Sequence, residues 1–195
     1  MICLCFGLVN IIPIQAADNI VYVGDGYIQE LETYNPDTKR WKVVDSNKEY
    51  DLIINYNEHY IQIDDEITPY LVEEVELPTP ATRATIDYSS ARNLQYKVPW
   101  KGSVTLLAAA IGGLIGGING FGIASTIAGA ITADAENLWV TFTQYDSVES
   151  YYSNYNAVYY HKCINRNIIF YETSISNANK HWGPYHGSWF DPIRP

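Results

Sequence analysis

Cys163 lies two residues beyond His161, and in an extended strand that spacing puts thiol and imidazole on one face. A thiol beside a histidine is the starting arrangement for nucleophilic catalysis, and His181 and His186 supply two further imidazoles. A lone cysteine is more often a buried, inert thiol, and that reading is preferred for Cys163. His181, His186 and Asp191 are spaced five and five apart, which matches no structural zinc pattern. Packing within an aromatic loop accounts for them better, so no metal and no other cofactor is expected. There is no P-loop and no Gly-x-Ser-x-Gly, and the glycines between 112 and 122 precede no acidic ribose ligand. These residues point away from an enzyme.

The spacing that stands out is instead apolar. Val104 to Ala133 carries no charge, and small side chains recur in it at every fourth position. Ala108, Gly112, Gly116, Gly120, Ala124 and Ala128 form one row, with Gly113 and Gly117 in a second row beside it. Leu107, Ile111, Ile115, Ile123, Ile127 and Ile131 form a third. Residues four apart share a helix face, so the segment predicts helix with a smooth small-residue side and an isoleucine ridge. Small-residue faces let helix backbones approach closely, as they do inside membranes. Trp100 and Lys101 before the segment and Trp139 after it have the character of interfacial anchors. Glycine costs about 1 kcal/mol relative to alanine in a helix, and Gly117-Ile118-Asn119-Gly120 offers a turn near the middle. A helical hairpin is therefore expected rather than one long span.

The elements around it differ in charge. Residues 18–80 hold fifteen acids and four bases, a balance of −11, whereas 81–195 hold seven acids and eight bases, a balance of +1. An acidic chain with no basic surface is not expected to bind nucleic acid. Residues 1–17 are apolar and end in Ala16-Ala17, which reads as a signal peptide cut after one of these alanines. Cys3 and Cys5 fall within it, leaving Cys163 without a disulfide partner. Short β-branched and aromatic runs over residues 19–63, punctuated by Gly24-Asp25-Gly26 and Asn35-Pro36-Asp37, predict a small antiparallel sheet. Residues 67–77 suit strand or helix. Pro78 and Pro80 open a linker assigned to residues 81–99, where Arg83 is a candidate processing site.

Residues 100–137 are assigned to the Gly/Ala-rich helical segment and 138–195 to a tyrosine-rich α+β region. In that last part, 138–145 and 160–171 read as strands, and the tyrosines of 148–159 have helix-like spacing. The tail from His181 reads as an aromatic loop. The expected fold is thus α+β, with an N-terminal antiparallel sheet, a central Gly/Ala-rich helical hairpin and C-terminal strands.

Together with Lys162-Cys163-Ile164-Asn165 and Trp189-Phe190-Asp191-Pro192, the segment from Val104 to Ala133 resembles secreted bacteriocin-like or toxin-like proteins of Gram-positive bacteria. The resemblance implies a secreted or cell-surface, non-enzymatic protein that acts on a target-cell membrane or associates with itself through its glycine-zipper helices. The acidic region would then be a solubilising or pro-part. The alternative expectation is an exported binding or adhesion module whose hairpin is buried core. Exposed Tyr and Trp would meet a cell-surface protein or carbohydrate, while ordinary core and surface packing accounts for most of its seventeen tyrosines.

Overall fold

The computed structural model describes residues 20–31, 35, 37–46, 48–77, 88–99, 103–131, 135–154, 156–175 and 180–192, with the side chains of 117–121 left aside. Six strands follow one another as a meander: β1 (Ile20–Val23), β2 (Gly26–Leu31), β3 (Thr38–Asp45), β4 (Lys48–Asn55), β5 (Tyr60–Ile63) and β6 (Glu66–Pro69). Turn chemistry sets their register. Gly24, at φ +60°, closes the β1–β2 hairpin, where Val23 faces Gly26. Asn55 accepts the amides of Asn57 and Glu58 through Oδ1 (3.0 and 2.8 Å), which turns the chain from β4 toward β5. Asp64 takes φ +53° in the two-residue turn between β5 and β6.

The strands of this first sheet alternate as a half-buried sheet must. Ile28, Trp41, Val43, Tyr50, Leu52, Ile54, Ile61 and Ile63 are buried on one face. On the other face, Arg40 pairs with Asp51 (2.7 Å) and Lys42 with Glu49 (2.8 Å).

The second sheet has the order β11-β10-β9-β8-β7, with every neighbouring pair antiparallel. It comprises β7 (Leu71–Val75), β8 (Tyr88–Pro99), β9 (Asn137–Ser153), β10 (Val158–Glu172) and β11 (His181–Tyr185). Between β8 and β9 the chain leaves the sheet to form α1 (Val104–Ile115) and α2 (Gly117–Ala128). α1 packs against β1 to β4 of the first sheet, against β8 of the second, and against α2. One continuous core joins both sheets and both helices.

The α+β expectation with a central helical hairpin is corrected by this architecture. The protein is mostly β, built on two antiparallel sheets, and its two helices are short, twelve residues each. Three physical reasons account for the difference. Residues 88–99, assigned to the linker, form β8, an inner strand whose Leu94, Tyr96 and Val98 face the core. Residues 148–153 belong to β9 and 158–159 to β10, because their tyrosines pair across strands: Tyr151 faces Tyr160 and Tyr152 faces Tyr159. Residues 181–185 of the supposed loop add β11 to the sheet edge. The signal peptide, residues 81–87 of the linker and the Asn119 side chain lie outside what the structure describes.

Candidate functional site: the sheathed helix and its clasps

From Thr105 to Ile115 every residue of α1 is buried. Its small residues explain how it sits so close to the first sheet. A Cβ on Gly113 would stand 2.9 Å from Ile54 Cδ1 and 3.0 Å from Trp41, so only glycine fits there without displacement. Ala124, Ile127 and Ala128 of α2 are buried on the same core. Thr126, on the other side of α2, is exposed.

Polar groups from both sheets hold the two ends of α1. At its start, Ser103 caps the helix by accepting the Leu106 amide (3.1 Å), and its hydroxyl donates to Asp45 Oδ2 (2.5 Å) at the end of β3. That donation, with further help from Ser46, holds the Asp45 carboxyl below the usual carboxylate range. Thr105 Oγ1 donates to the Val23 carbonyl (3.3 Å). Toward its end, Tyr56 donates to the Gly113 carbonyl (3.2 Å), and Asn165 Nδ2 donates to the Ile115 carbonyl (2.5 Å). Asn165 itself is fully buried, so its bond satisfies two groups that water does not reach.

Gly116 separates the helices. Its φ of +75° is a left-handed conformation, and a Cβ there would stand 2.5 Å from the Phe190 ring. Phe190 is fixed in turn by two backbone bonds with Cys163, each 2.9 Å. Asn165 is anchored through Gln144, whose Nε2 donates to Asn165 Oδ1 (3.1 Å). Gln144 accepts from Arg92 Nε (2.9 Å), and Arg92 Nη2 reaches Asp146 (3.0 Å). A hydrogen-bonded chain therefore runs from Asp146 through Arg92, Gln144 and Asn165 to the end of α1. Beside it a cleft of about 370 Å³ opens between the sheets, with Tyr70, Tyr96, Arg92, Glu74, Leu114 and Gly116 in its walls.

Cys163 belongs to this chain and not to a catalytic pair. Its thiol donates to Asp146 Oδ1 (3.2 Å) and lies 3.9 Å from Arg92 Nη2. Burial, then the Asp146 charge, push the thiol up to about 12. At neutral pH it stays protonated, the opposite of what a thiolate nucleophile needs. A register shift falls between His161 and Cys163, and His161 is exposed opposite Ser150. His186 accepts from the Asn167 amide at 3.5 Å, whereas Asp191 meets Tyr160 (3.2 Å) and Lys162 (3.8 Å). Among the described residues no three metal-ligating side chains come together.

The sequence-selected small residues thus divide between the two helices and their joint. Ala108, Gly112 and Gly113 lie on α1, Gly116 at the joint, and Gly117, Gly120, Ala124 and Ala128 on α2. Trp139 lies beyond α2 in the chain. It stands in β9, where its indole donates to the Thr173 carbonyl (3.1 Å) and Lys97 lies over its ring at 6.0 Å. Ala16, Ala17, Arg83, Trp100 and Lys101 lie outside the described residues. Sequence reasoning missed Asp45, Tyr56, Asn165 and Phe190. Only Ser103 had a readable signal, a hydroxyl residue just before an apolar helix.

No protein-family model, curated protein or solved structure matches the chain.

Proposed function

We propose that the protein is a secreted, non-enzymatic, membrane-active protein that stores its apolar segment inside its own β-structure. The acidic N-terminal region is the sheath. The observation that carries this reading is the seating of α1 on β1 to β4, all four drawn from the acidic region. Each helix in place runs about 18 Å, too short for a hydrocarbon core of about 30 Å. Among the described residues no helix is long and apolar enough to cross a membrane. Gly116 alone interrupts the helix from 104 to 128. Turned into the right-handed region, it would leave one uncharged helix of about 38 Å, enough to span with some tilt. Leaving the sheet would expose the inner face of the sheath, so the clasps at Ser103 and Asn165 govern release.

Dye leakage from lipid vesicles tests this directly. The full chain is expected to cause leakage, and Ser103→Ala and Asn165→Ala to increase it at equal folded fraction. Absence of leakage from all three overturns the proposal.

A second reading, an exported binding module with these helices as permanent core, is favoured by one observation. Close contacts with Ile54, Trp41 and Phe190 already account for Gly113 and Gly116. It predicts one cooperative unfolding transition that vesicles leave unchanged.

A further inference from the structure

β9 and β10 outrun the rest of their sheet. The last residue of β9 that pairs with β8 is Ser147, opposite Tyr88, yet β9 continues to Ser153 and pairs there with β10 from Val158. Six residues at about 3.4 Å each make a two-stranded ribbon projecting about 20 Å. An isolated two-stranded ribbon is marginal in water, so its side chains have to justify it.

The two faces of the ribbon are unlike. On one, Tyr151 donates to Glu149 (3.1 Å) and lies under Lys162 (4.6 Å), while Tyr160 donates to Asp191 (3.2 Å). The other face has Ser150, Tyr152 and Tyr159, with His161 opposite Ser150 and no Asp, Glu, Lys or Arg, and exposed Val148 adjoins it at the irregularity between Ser150 and Asp146. Tyr159 is 73% exposed, Val148 53% and Tyr152 51%. The Tyr152–Tyr159 ring contact, 5.1 Å between centroids, explains why two aromatics face each other there. It does not explain an uncharged face left open at the end of a protein whose net charge is −10.

We propose that this tyrosine face is a docking surface for the neutral lipid–water interface of a bilayer. The inference rests on the membrane-active reading and supplies its first contact. Tyrosine suits such an interface because its ring is apolar and its hydroxyl remains hydrated. Charge decides between lipid surfaces. The acidic region, at −11, is repelled by anionic lipid, whereas an uncharged face can settle on a zwitterionic one without opposing it. The ribbon is built in the other half of the chain, whose balance is +1, and it carries the contact beyond the sheet edge.

Co-sedimentation of the full chain with phosphatidylcholine vesicles tests the surface, with phosphatidylglycerol-containing vesicles as the comparison. The parent is expected to bind the neutral vesicles more tightly. Tyr152→Ser combined with Tyr159→Ser should weaken that binding by roughly tenfold. Val148→Lys, which keeps both tyrosines and their ring contact, should weaken it too. Tyr22→Ser, at an exposed tyrosine of the first sheet, should leave it unchanged. The inference is overturned if the parent binds no vesicles, if the ribbon variants bind like the parent, or if Tyr22→Ser weakens binding equally. It is also overturned if sedimentation velocity shows the ribbon joining two copies in place of lipid. Ribbon-dependent binding without leakage keeps the docking surface and removes the storage proposal. Leakage unaffected by the ribbon variants does the reverse.

Discussion

The two sheets solve the same problem in different ways. Strands of the first are four to eight residues long and pair only with their sequence neighbours. Its inner face is mainly apolar, but the element that covers it, α1, comes from between two strands of the other sheet. The second sheet has three strands of 12, 17 and 15 residues, longer than its neighbour's, and contributes its own aromatic packing of Tyr96 against Phe142. It then overhangs its own partners as the tyrosine ribbon. The first sheet is regular but incomplete by itself. The second sheet exceeds what its core requires, and the excess is where an outward role is proposed.

Substitutions at the shared helix separate the two contributions. Gly116→Ile should have the largest effect, about 3 kcal/mol or more, because it forces a β-branched residue to positive φ and into the Phe190 ring. Urea unfolding measures it. Gly129→Ala is the matched control, with no contact nearer than 3.5 Å and an ordinary helical φ, and should be neutral or slightly stabilising. Equal losses at the two glycines would mean that the joint between helices is not a special position.

Asn165→Ala tests the clasp from the second sheet. It strands the Ile115 carbonyl and the Gln144 amide, for an expected loss of about 1–3 kcal/mol. Ser103→Ala tests the clasp toward the first sheet and should lose about 1 kcal/mol, the usual value of a helix cap. The smaller effect carries a pH signature. Asp45 titrates below its unfolded range, so its contribution is complete above about pH 5 and declines as pH falls through about 4. It is gone once pH is below the folded value. Ser103→Ala should flatten that part of the acid unfolding profile. An unchanged profile would break the link between Asp45 and the helix cap.

What could be read from the residues follows from the range of the interactions involved. The early hairpins of the first sheet were legible because Gly24-Asp25-Gly26 and Asn35-Pro36-Asp37 mark turns beside short β-branched runs, whereas the turns at Asn55 and Asp64 were not singled out. β8 was not, since its register depends on β7 and on β9 across a long insertion. The ribbon was misread as helix because both its faces carry tyrosine. A two-sided strand loses the period of two, and residues 148, 151, 152, 155 and 159 imitate a helix stripe. The small-residue rows of the apolar segment were plain, but not what they touch. Asn165 lies fifty residues from Ile115, and nothing local marks it as the partner of a helix end.

The position of α1 in the chain has a consequence for the order of events during synthesis. A nascent chain that has emerged only to Pro69 contains all six strands of the first sheet, yet the helix that covers their apolar face ends at Ile115. At 5–20 residues per second that interval is on the order of seconds, longer than a hairpin takes to form. For that time Trp41, Leu52 and Ile54 form a finished but uncovered surface. An uncovered apolar face is adhesive, and a chaperone that delays pairing would protect it. Vectorial synthesis thus exposes the first sheet before the helix that packs on it has been made.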